Sequence, residues 1–310
     1  MQQDKVSQIA GWAGLEGLSF IPIKPITQSN RSNQTDRLIY TSPQPLDSKS
    51  LLVLELVVLE LANIQMSTYI AALTDLHRGL DRKGPGDSNF SRHILSNLST
   101  LPLKPRIADL GCGSGASALL LAQHYQSPVM AVDASSVFIA ELKARAKQLG
   151  LEHLIIPIQG DMAKLDWPVG SVDLLWSEGA AYNLGFEQAL TIWRPLLAAG
   201  GIAVISELSW FTDNLPEPAI TYWQNAYPMM GTEVENIDRA NRSGFSVLST
   251  HRLPSQAWWV NYYQPLRERM QQIEITPSTQ LVIRETEEEM GLFEKFSDLY
   301  GYTFYVLQAA

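Results

Sequence analysis

The sequence has very little cysteine and no long apolar run, and both absences narrow what the protein can be. Cys112 is the only cysteine among 310 residues, so an intramolecular disulfide is excluded. The most apolar segment, residues 51–61, is interrupted by Glu55 and Glu60. It is far shorter than the roughly 20 apolar residues that cross a bilayer, so no membrane partner is expected. Periodicity fits either a packed helix or a buried strand, and we favour the helix.

Positive charge is also scarce. The chain has 23 Lys and Arg against 32 Asp and Glu, and its formal net charge is -9. Nucleic-acid-binding proteins need a basic surface, so the composition argues against such a partner and favours small-molecule ligands. The first residues lack the basic, apolar and cleavage regions of a signal peptide, which predicts a cytoplasmic location.

Two motifs of common enzyme classes are missing. The five histidines are scattered and have no cysteine partners, so no metal site is expected. No Tyr-x-x-x-Lys pair occurs anywhere in the chain, which weighs against a nicotinamide-dependent oxidoreductase. That class stays open as an alternative, because an acidic residue after a second strand suits the ribose of either cofactor.

Composition divides the chain into three predicted regions. Residues 1–50 contain a stretch rich in Ser, Thr, Asn, Gln and Pro and are interpreted as a loosely attached extension. Residues 51–100 are interpreted as a helical N-terminal cap, broken at "DRKGPGDSN" (81–89) because glycine and proline interrupt helices. Residues 101–310 form the main predicted domain, with an aromatic-rich insertion at 207–243.

Short apolar runs alternate with amphipathic stretches from residue 106 onward. Predicted strands cover Ile107 to Leu110, Val129 to Val132, Leu154 to Ile158, Val172 to Trp176 and Ile202 to Ser206, followed by 245–253 and 302–308. Predicted helices cover 135–150 and 186–201. Alternating strands and helices indicate a parallel sheet covered on both faces, whose ligands bind at the carboxyl ends of the strands.

Three glycines alternate with other residues directly after the first predicted strand, in "DLGCGSG" (109–115). Gly111 permits a tight turn, Gly113 lets a ligand approach the backbone, and Gly115 lets the next helix start close to the sheet. The pattern predicts a nucleotide-binding turn, and a plain tight turn is the alternative. Its G-x-G-x-G spacing differs from the dinucleotide-binding G-x-G-x-x-G.

Acidic residues follow the next two predicted strands. Asp133 ends the second strand, where a carboxylate can accept both ribose hydroxyls; capping of the following helix is the alternative. Asp161 and Met162 end the third strand, beside the expected adenine position, and simple turn residues are the alternative there. The fourth strand brings polar and aromatic residues to the same crevice: Trp176, Ser177, Glu178 and Tyr182.

These motifs together resemble the class I S-adenosylmethionine-dependent methyltransferases. The likeness spans residues 80–210 in the order "DLGCGSG", "VDAS", "GDM", "VDLLWSEG" and "LLAAGGIAVISE". "GPG" (84–86), "SEGAAYNLGFE" (177–187) and "SELSWFTDNLPEP" (206–218) resemble a bacterial branch of small-molecule methyltransferases. The resemblance implies an enzyme with a doubly wound, seven-strand Rossmann-like α/β fold, sheet order 3-2-1-4-5-7-6 and a last antiparallel strand. It offers no counterpart for residues 1–60, and the helical N-terminal cap is expected from the sequence pattern alone.

The same resemblance implies S-adenosylmethionine as cofactor and S-adenosylhomocysteine as product. Asp109 and the loop glycines would surround the methionine part, Asp133 the ribose and Asp161 the adenine amino group, with the Met162 amide on a ring nitrogen. The full set of expected cofactor contacts is Asp109, Gly111, Cys112, Gly113, Asp133, Ala134, Asp161, Met162 and Ser177. Cys112 has no evident base, so it is interpreted as a small loop residue and not as a nucleophile.

Glu178 and Tyr182 are the predicted acceptor-side residues. Glu178 would position the acceptor or remove its proton, or it would only order the loop beside the cofactor. Arg82 or Lys83 would bind the methionine carboxylate or an acidic substrate, and solvated surface charges are the alternative. The acceptor atom stays undetermined, although an acidic Glu178 leans towards an amine.

The second half of the chain is unusually aromatic. Trp210 and Phe211 are expected to contact the acceptor, since an aromatic face stabilises a cationic group by about 0.5–2 kcal/mol. Packing in the core is the alternative, and it is favoured for most of the aromatic residues in this half of the chain. Trp258 and Trp259 cannot share one face of a strand, so at least one is expected to contact a lid, a partner or the substrate. A homodimer interface is compatible with these aromatic residues.

One further enzyme class is disfavoured by the sequence, and one noncatalytic function stays open. No Asn-Pro-Pro-Tyr sequence ends the fourth strand, so a resemblance to enzymes that methylate planar amino groups of adenine or glutamine is absent, and "WSEG" stands there. A noncatalytic S-adenosylmethionine-binding module would fit the same motifs if no acceptor pocket lay beside the methyl group.

Overall fold

A computed structural model of the protein describes residues 48–98 and 101–310. The chain divides into two units, Met1–Ser67 and Thr68–Ala310. The predicted extension over residues 1–50 lies outside the described residues as far as residue 47. Helix α1 spans Ser48–His77, which confirms the helix predicted over 51–61. No helix in the described part of the chain is long and apolar enough to cross a membrane.

The second unit alternates strands and helices along most of its length. Its elements are α2 (Ser88–Ser96), β1 (Ile107–Leu110), α3 (Ala116–Tyr125), β2 (Val129–Asp133), α4 (Ser136–Gln148), β3 (Ile155–Gln159), β4 (Val172–Ser177), α5 (Phe186–Trp193), β5 (Leu197–Trp210), α6 (Glu217–Ala226), β6 (Gly231–Thr232), α7 (Glu233–Arg242), β7 (Phe245–Arg252), α8 (Ser255–Trp258), α9 (Gln264–Met270), α10 (Pro277–Phe296) and β8 (Tyr300–Ala309). Two 3₁₀ turns, Ala181–Asn183 and Arg194–Leu196, flank α5.

The strands form one sheet in the order β3-β2-β1-β4-β5-β8-β7, with the two-residue β6 paired to β5. The first five strands pair in parallel, and β8 runs antiparallel between β5 and β7. The prediction did not include the two-residue β6. When β6 is left out of the numbering, β7 and β8 become strands 6 and 7, and the observed order equals the predicted order 3-2-1-4-5-7-6. The Rossmann-like α/β fold and its antiparallel last strand are therefore confirmed.

Side chains of neighbouring residues in the central strands enter two separate cores. Leu175 packs on one face of the sheet with Phe186 and Trp193 of α5. Trp176, the next residue, packs on the other face with Leu76 of α1 and with Trp258. Since successive side chains of a strand point to opposite faces, both faces of these apolar strands are buried, as in other mostly parallel sheets.

Two predictions about local structure are wrong. The helix expected over 186–201 ends at Trp193, and Leu197 already begins β5 by pairing with Val172. Pro195 lacks an amide hydrogen, which favours the intervening 3₁₀ turn over a continuing α-helix. Trp258 and Trp259 do not lie on a strand: α8 ends at Trp258, and Trp259 starts a π-helical turn.

Candidate active site

The loop after β1 needs glycine because its backbone is left-handed and closely covered. Gly111 has φ +75°, and a Cβ atom there would lie 2.2 Å from the Ala180 Cβ. Gly113 has φ +51°, and its Cβ would lie 2.9 Å from the Lys83 Cγ. Side chains are thus excluded at both positions. The atoms that approach the loop so closely are protein atoms, whereas the sequence interpretation assigned the space beside Gly113 to a ligand.

Two carboxylates stand at the ends of β1 and β2. Asp109 is buried, and its Oδ2 atom has no hydrogen-bond partner among the described residues. Burial, followed by the charges of Glu178 and Asp133, raises the pKa of Asp109 well above its usual value. Asp133 accepts hydrogen bonds from the backbone amides of Gly113 and Ser135, both at 2.8 Å, and burial raises its pKa too. Asp133 therefore shapes the loop and the turn into α4.

Asp161 and Met162 lie at the end of β3, where the sequence placed them. Asp161 is exposed, and its pKa is lowered first by the backbone amide of Ala163 and then by Lys164. The Met162 Sδ lies 3.6 Å from the position of a Gly111 Cβ, and the Trp193 indole donates to the Met162 carbonyl oxygen at 2.9 Å. Met162 thus borders the glycine loop.

The remaining expected cofactor contacts differ in exposure. Cys112 is buried, which raises the pKa of its thiol and keeps it protonated. Ala134 is exposed after the end of β2. Ser177 is fully buried and donates a 2.8 Å hydrogen bond to the Leu110 carbonyl oxygen. Ser177 therefore ties the ends of β4 and β1 together.

Glu178 is held by three donors at the end of β4. Its Oε2 accepts a hydrogen bond from Arg82 Nη1 at 2.8 Å. Its Oε1 accepts from Ser91 Oγ at 2.7 Å and from Trp176 Nε1 at 2.9 Å. Arg82 is therefore already engaged by a carboxylate, and its Nη2 donates to Ser88 Oγ at 3.1 Å.

Lys83 is also engaged within the protein. Its Nζ donates to the carbonyl oxygens of His77 and Leu80, and to Glu141 Oε2 at 2.6 Å. The Phe138 ring lies 4.6 Å from the same nitrogen. Arg82 and Lys83, which the sequence analysis considered as binding groups for an acidic ligand, therefore both have protein partners in this structure.

The aromatic residues predicted on the acceptor side occupy different environments. Tyr182 is 41% exposed, and its ring lies 6.0 Å from that of Tyr227. Trp210 is buried against Tyr300, with ring centroids 5.6 Å apart. Phe211 lies 4.2 Å below the Arg252 guanidinium. Tyr182 is thus accessible to a ligand, while Trp210 and Phe211 pack against protein side chains.

Two acids whose pKa values are raised by burial, Glu207 and Glu289, were missed by sequence reasoning. Glu207 on β5 is 1% exposed, and neither of its carboxylate oxygens has a hydrogen-bond partner of acceptable geometry. Burial raises its pKa to about 8. Glu289 on α10 accepts a 2.7 Å hydrogen bond from the Tyr263 hydroxyl. The signal for Glu289 was its spacing, seven residues after the buried Val282, which puts both on one helix face.

Sequence comparisons match part of the chain to known proteins. Residues 107–201 match the family described as a methyltransferase domain. The ribosomal protein arginine N-methyltransferase rmt3 of Schizosaccharomyces pombe is 31% identical over 167 residues, which are 51% of this chain and 28% of that protein. The trans-aconitate 2-methyltransferase of Deinococcus radiodurans is 37% identical over 109 residues, which are 34% of this chain and 39% of that protein. The chain thus spans less than half the length of these curated relatives.

A solved structure extends the likeness to most of the fold. An S-adenosylmethionine-dependent methyltransferase from Geobacter sulfurreducens, in complex with S-adenosylhomocysteine, matches with a TM-score of 0.66 and 19% identity. The match covers 77% of this chain and 98% of that one. The resemblance found in the sequence is confirmed: the chain carries a methyltransferase domain at residues 107–201, built on the Rossmann-like fold of S-adenosylmethionine-dependent methyltransferases.

Proposed function

We propose that this protein transfers a methyl group from S-adenosylmethionine to a small-molecule acceptor. The observation that carries the proposal is the row of carboxylates at the ends of three adjacent parallel strands, beside the glycine loop. Asp133 is the last residue of β2, Asp109 is the residue before the end of β1, and Asp161 follows the end of β3 by two residues. In a doubly wound sheet, this edge is where a nucleotide-like ligand binds.

The chemistry of these residues fits the cofactor. S-adenosylmethionine is positively charged at sulfur and at its amino group, and the unpartnered Oδ2 of Asp109 is an acceptor without a donor. Asp133 keeps lone pairs for the ribose hydroxyls beside its two backbone bonds. Asp161 and the Met162 amide would hold the adenine, and Cys112, Ala134 and Ser177 would line the same groove.

Methyl transfer requires the protein to align the acceptor with the methyl group, and it requires little covalent catalysis by protein side chains. The cofactor supplies a methyl group on a cationic sulfur, which an acceptor lone pair takes while the electron pair of the broken C–S bond stays on sulfur. The protein aligns the acceptor and excludes water. Tyr182 supplies an accessible polar contact. Glu178 is assigned as a positioning residue, because its three donors fix the segment Gly179–Tyr182 that follows β4.

A small acceptor is favoured by the segments "SEGAAYNLGFE" and "SELSWFTDNLPEP", which resemble those of small-molecule methyltransferases. Tyr182 lies in the first of these segments and is 41% exposed, so its hydroxyl can form a hydrogen bond with a ligand. The S. pombe relative is named for protein arginine methylation and the D. radiodurans relative for trans-aconitate, so relatives of both kinds exist.

Calorimetric titration with S-adenosylmethionine, S-adenosylhomocysteine and NAD in parallel tests the proposal. We expect micromolar binding of the first two ligands and no heat with NAD. Binding of NAD alone would overturn the proposal in favour of an oxidoreductase. Cofactor binding without methyl transfer to any component of a small-metabolite extract would instead identify a noncatalytic binding module.

A further inference from the structure

The reaction side of the sheet contains a cluster of phenols around one carboxylate, which we call the tyrosine cleft: Tyr182, Tyr262, Tyr302 and Glu289. Tyr302 lies on β8, beside the end of β4. Its hydroxyl oxygen is 3.2 Å from the position of a Gly179 Cβ, and it makes no hydrogen bond to any described residue. Gly179 lies three residues before Tyr182, so the Tyr302 hydroxyl lies beside the segment that carries Tyr182.

Packing connects Tyr302 to Glu289. The rings of Tyr302 and Trp258 lie 4.8 Å apart, and the Trp258 ring lies 6.0 Å from that of Tyr263. The Tyr263 hydroxyl donates to Glu289 Oε1 at 2.7 Å. Tyr262 precedes Tyr263 in the π-helical turn Trp259–Tyr263, and its hydroxyl is 3.0 Å from His77 Nε2. The cleft is thus built by β8, the π-helical turn and α10 around the segment after β4.

The polar groups of the cleft are close enough to influence one another. The charge of Glu289 adds to burial in raising the pKa of Tyr182, of Tyr262 and of Tyr302. Tyr182 in turn raises the pKa of both other phenols. All three hydroxyls therefore stay protonated and neutral at physiological pH. Glu289 is half-buried, and burial raises the pKa of its carboxyl group.

No cation among the described residues balances Glu289. Its one hydrogen bond among the described residues is with the Tyr263 hydroxyl, which donates to Oε1. Arg82 is paired with Glu178, and Lys83 with Glu141. His77 is buried, which lowers its pKa and keeps it neutral beside Tyr262. A carboxylate enclosed by neutral aromatic rings favours a cationic partner, since an unpaired buried charge is costly.

We propose that the tyrosine cleft binds the methyl acceptor as an ammonium ion, with Glu289 as its counter-ion and the rings of Tyr182, Tyr262 and Tyr302 around it. This inference rests on the proposed function and narrows it to N-methylation of an amine. Aromatic faces and a carboxylate are the groups that bind alkylammonium ions. For transfer, the ammonium loses one proton to water, its lone pair forms the new N–C bond, and the C–S electron pair stays on sulfur.

Tetramethylammonium is a suitable probe, because it carries the charge without depending on the rest of the acceptor. Saturation-transfer NMR with tetramethylammonium chloride, in the presence of saturating S-adenosylhomocysteine, should give a clear signal with the wild-type protein. Glu289→Gln should reduce that signal at least fivefold. Glu287→Gln, an exposed acid on the same helix, removes the same charge and should leave the signal unchanged. Sodium acetate should give no signal with any of the three proteins.

Other outcomes separate this inference from the proposed function. Wild-type protein that binds S-adenosylhomocysteine but not tetramethylammonium would overturn the amine assignment and leave the cofactor assignment standing. An equal signal in wild-type and Glu289→Gln protein would remove Glu289 from acceptor binding. Lack of S-adenosylhomocysteine binding in the wild-type protein would contradict the proposed function itself. Circular dichroism melting of Glu289→Gln, together with its calorimetric affinity for S-adenosylhomocysteine, reports whether the variant is folded.

Discussion

The guanidinium of Arg82 and the carboxylate of Glu178 form an ion pair with an Nη1–Oε2 distance of 2.8 Å and side-chain exposures of only 9% and 7%. This pair links the segment between α1 and α2 to the end of β4. It also neutralises the acid that the sequence suggested as a reason for an amine acceptor. The charge that selects the acceptor is therefore assigned to Glu289, which has no cation beside its carboxylate in the part of the chain that the structure describes.

Removing one member of this ion pair should destabilise the fold. Arg82→Met leaves Glu178 buried and unbalanced, and breaking a buried pair in this way costs about 3–5 kcal/mol. We expect a loss of about 3 kcal/mol in urea unfolding. The double variant Arg82→Met/Glu178→Gln should recover part of that loss, because no charge is then left unpaired. Equal losses in the single and double variants would contradict the argument.

Asp133 should contribute to cofactor affinity. Asp133→Asn keeps an oxygen for one of the two backbone bonds but removes the charge and one acceptor. We expect S-adenosylmethionine to bind more than tenfold more weakly in calorimetry, which corresponds to about 1.4 kcal/mol. The matched control is Asp166→Asn, which removes an exposed carboxylate after β3. Unchanged affinity in Asp133→Asn would reduce Asp133 to a residue that shapes the loop.

Gly111 should not tolerate a side chain. Gly111→Ala places a Cβ 2.2 Å from that of Ala180 and forces alanine to φ +75°. The left-handed conformation alone costs about 1–2 kcal/mol, and the steric clash adds to it. We expect a lower melting temperature and loss of S-adenosylhomocysteine binding. Gly84→Ala, where no atom lies within 4 Å of the new Cβ, should melt like the wild type.

Glu207 should make stability fall as pH rises. Burial raises its pKa to about 8, so the folded protein retains a proton that the unfolded chain loses near pH 4.5. Between these two values the folded state binds more protons, and its free energy of unfolding declines by at most about 1.4 kcal/mol per pH unit from this group. Urea unfolding at pH 5 and pH 8 measures the decline.

The Glu207→Gln variant isolates this contribution, because its neutral side chain has no such titration. Other buried acids, Asp109 and Glu289 among them, titrate equally in both proteins. The difference in free energy between wild type and variant should therefore change with pH in the direction given above. A constant difference between pH 5 and pH 8 would show that Glu207 is ionised throughout this range.

The sequence predicted the parallel part of the sheet well because its strands are short, fully apolar and followed by recognisable turns. Ile107–Leu110 matches the prediction residue for residue. The start of β5 was missed because "LLAAGG" has the composition of a helix end, and only pairing of Leu197 with Val172 makes it a strand. Tertiary pairing decides such cases, and local propensity does not.

The candidate site was predictable where the chain places residues directly after strands, as with Asp133 and Glu178. The partners of these residues were not, because Arg82 lies 96 residues from Glu178 in sequence. Glu289 was hidden in "EEEM", which is typical of a solvated helix face. Its proposed role depends on its hydrogen bond with Tyr263 and on its charge near Tyr302 and Tyr182, and these three tyrosines come from distant segments.

The stem of Lys83 beside Gly113 has a thermodynamic consequence for any ligand of the glycine loop. While the Lys83 stem fills that space, a ligand atom cannot, so the two occupants compete. The apparent dissociation constant then equals the intrinsic constant divided by the fraction of molecules in which Lys83 has moved aside. If that fraction were about one in a hundred, the measured affinity would be a hundredfold weaker than the contacts alone provide. Cofactor affinity in this protein therefore reports the release of Lys83 from His77, Leu80 and Glu141 as well as the contacts of the cofactor itself.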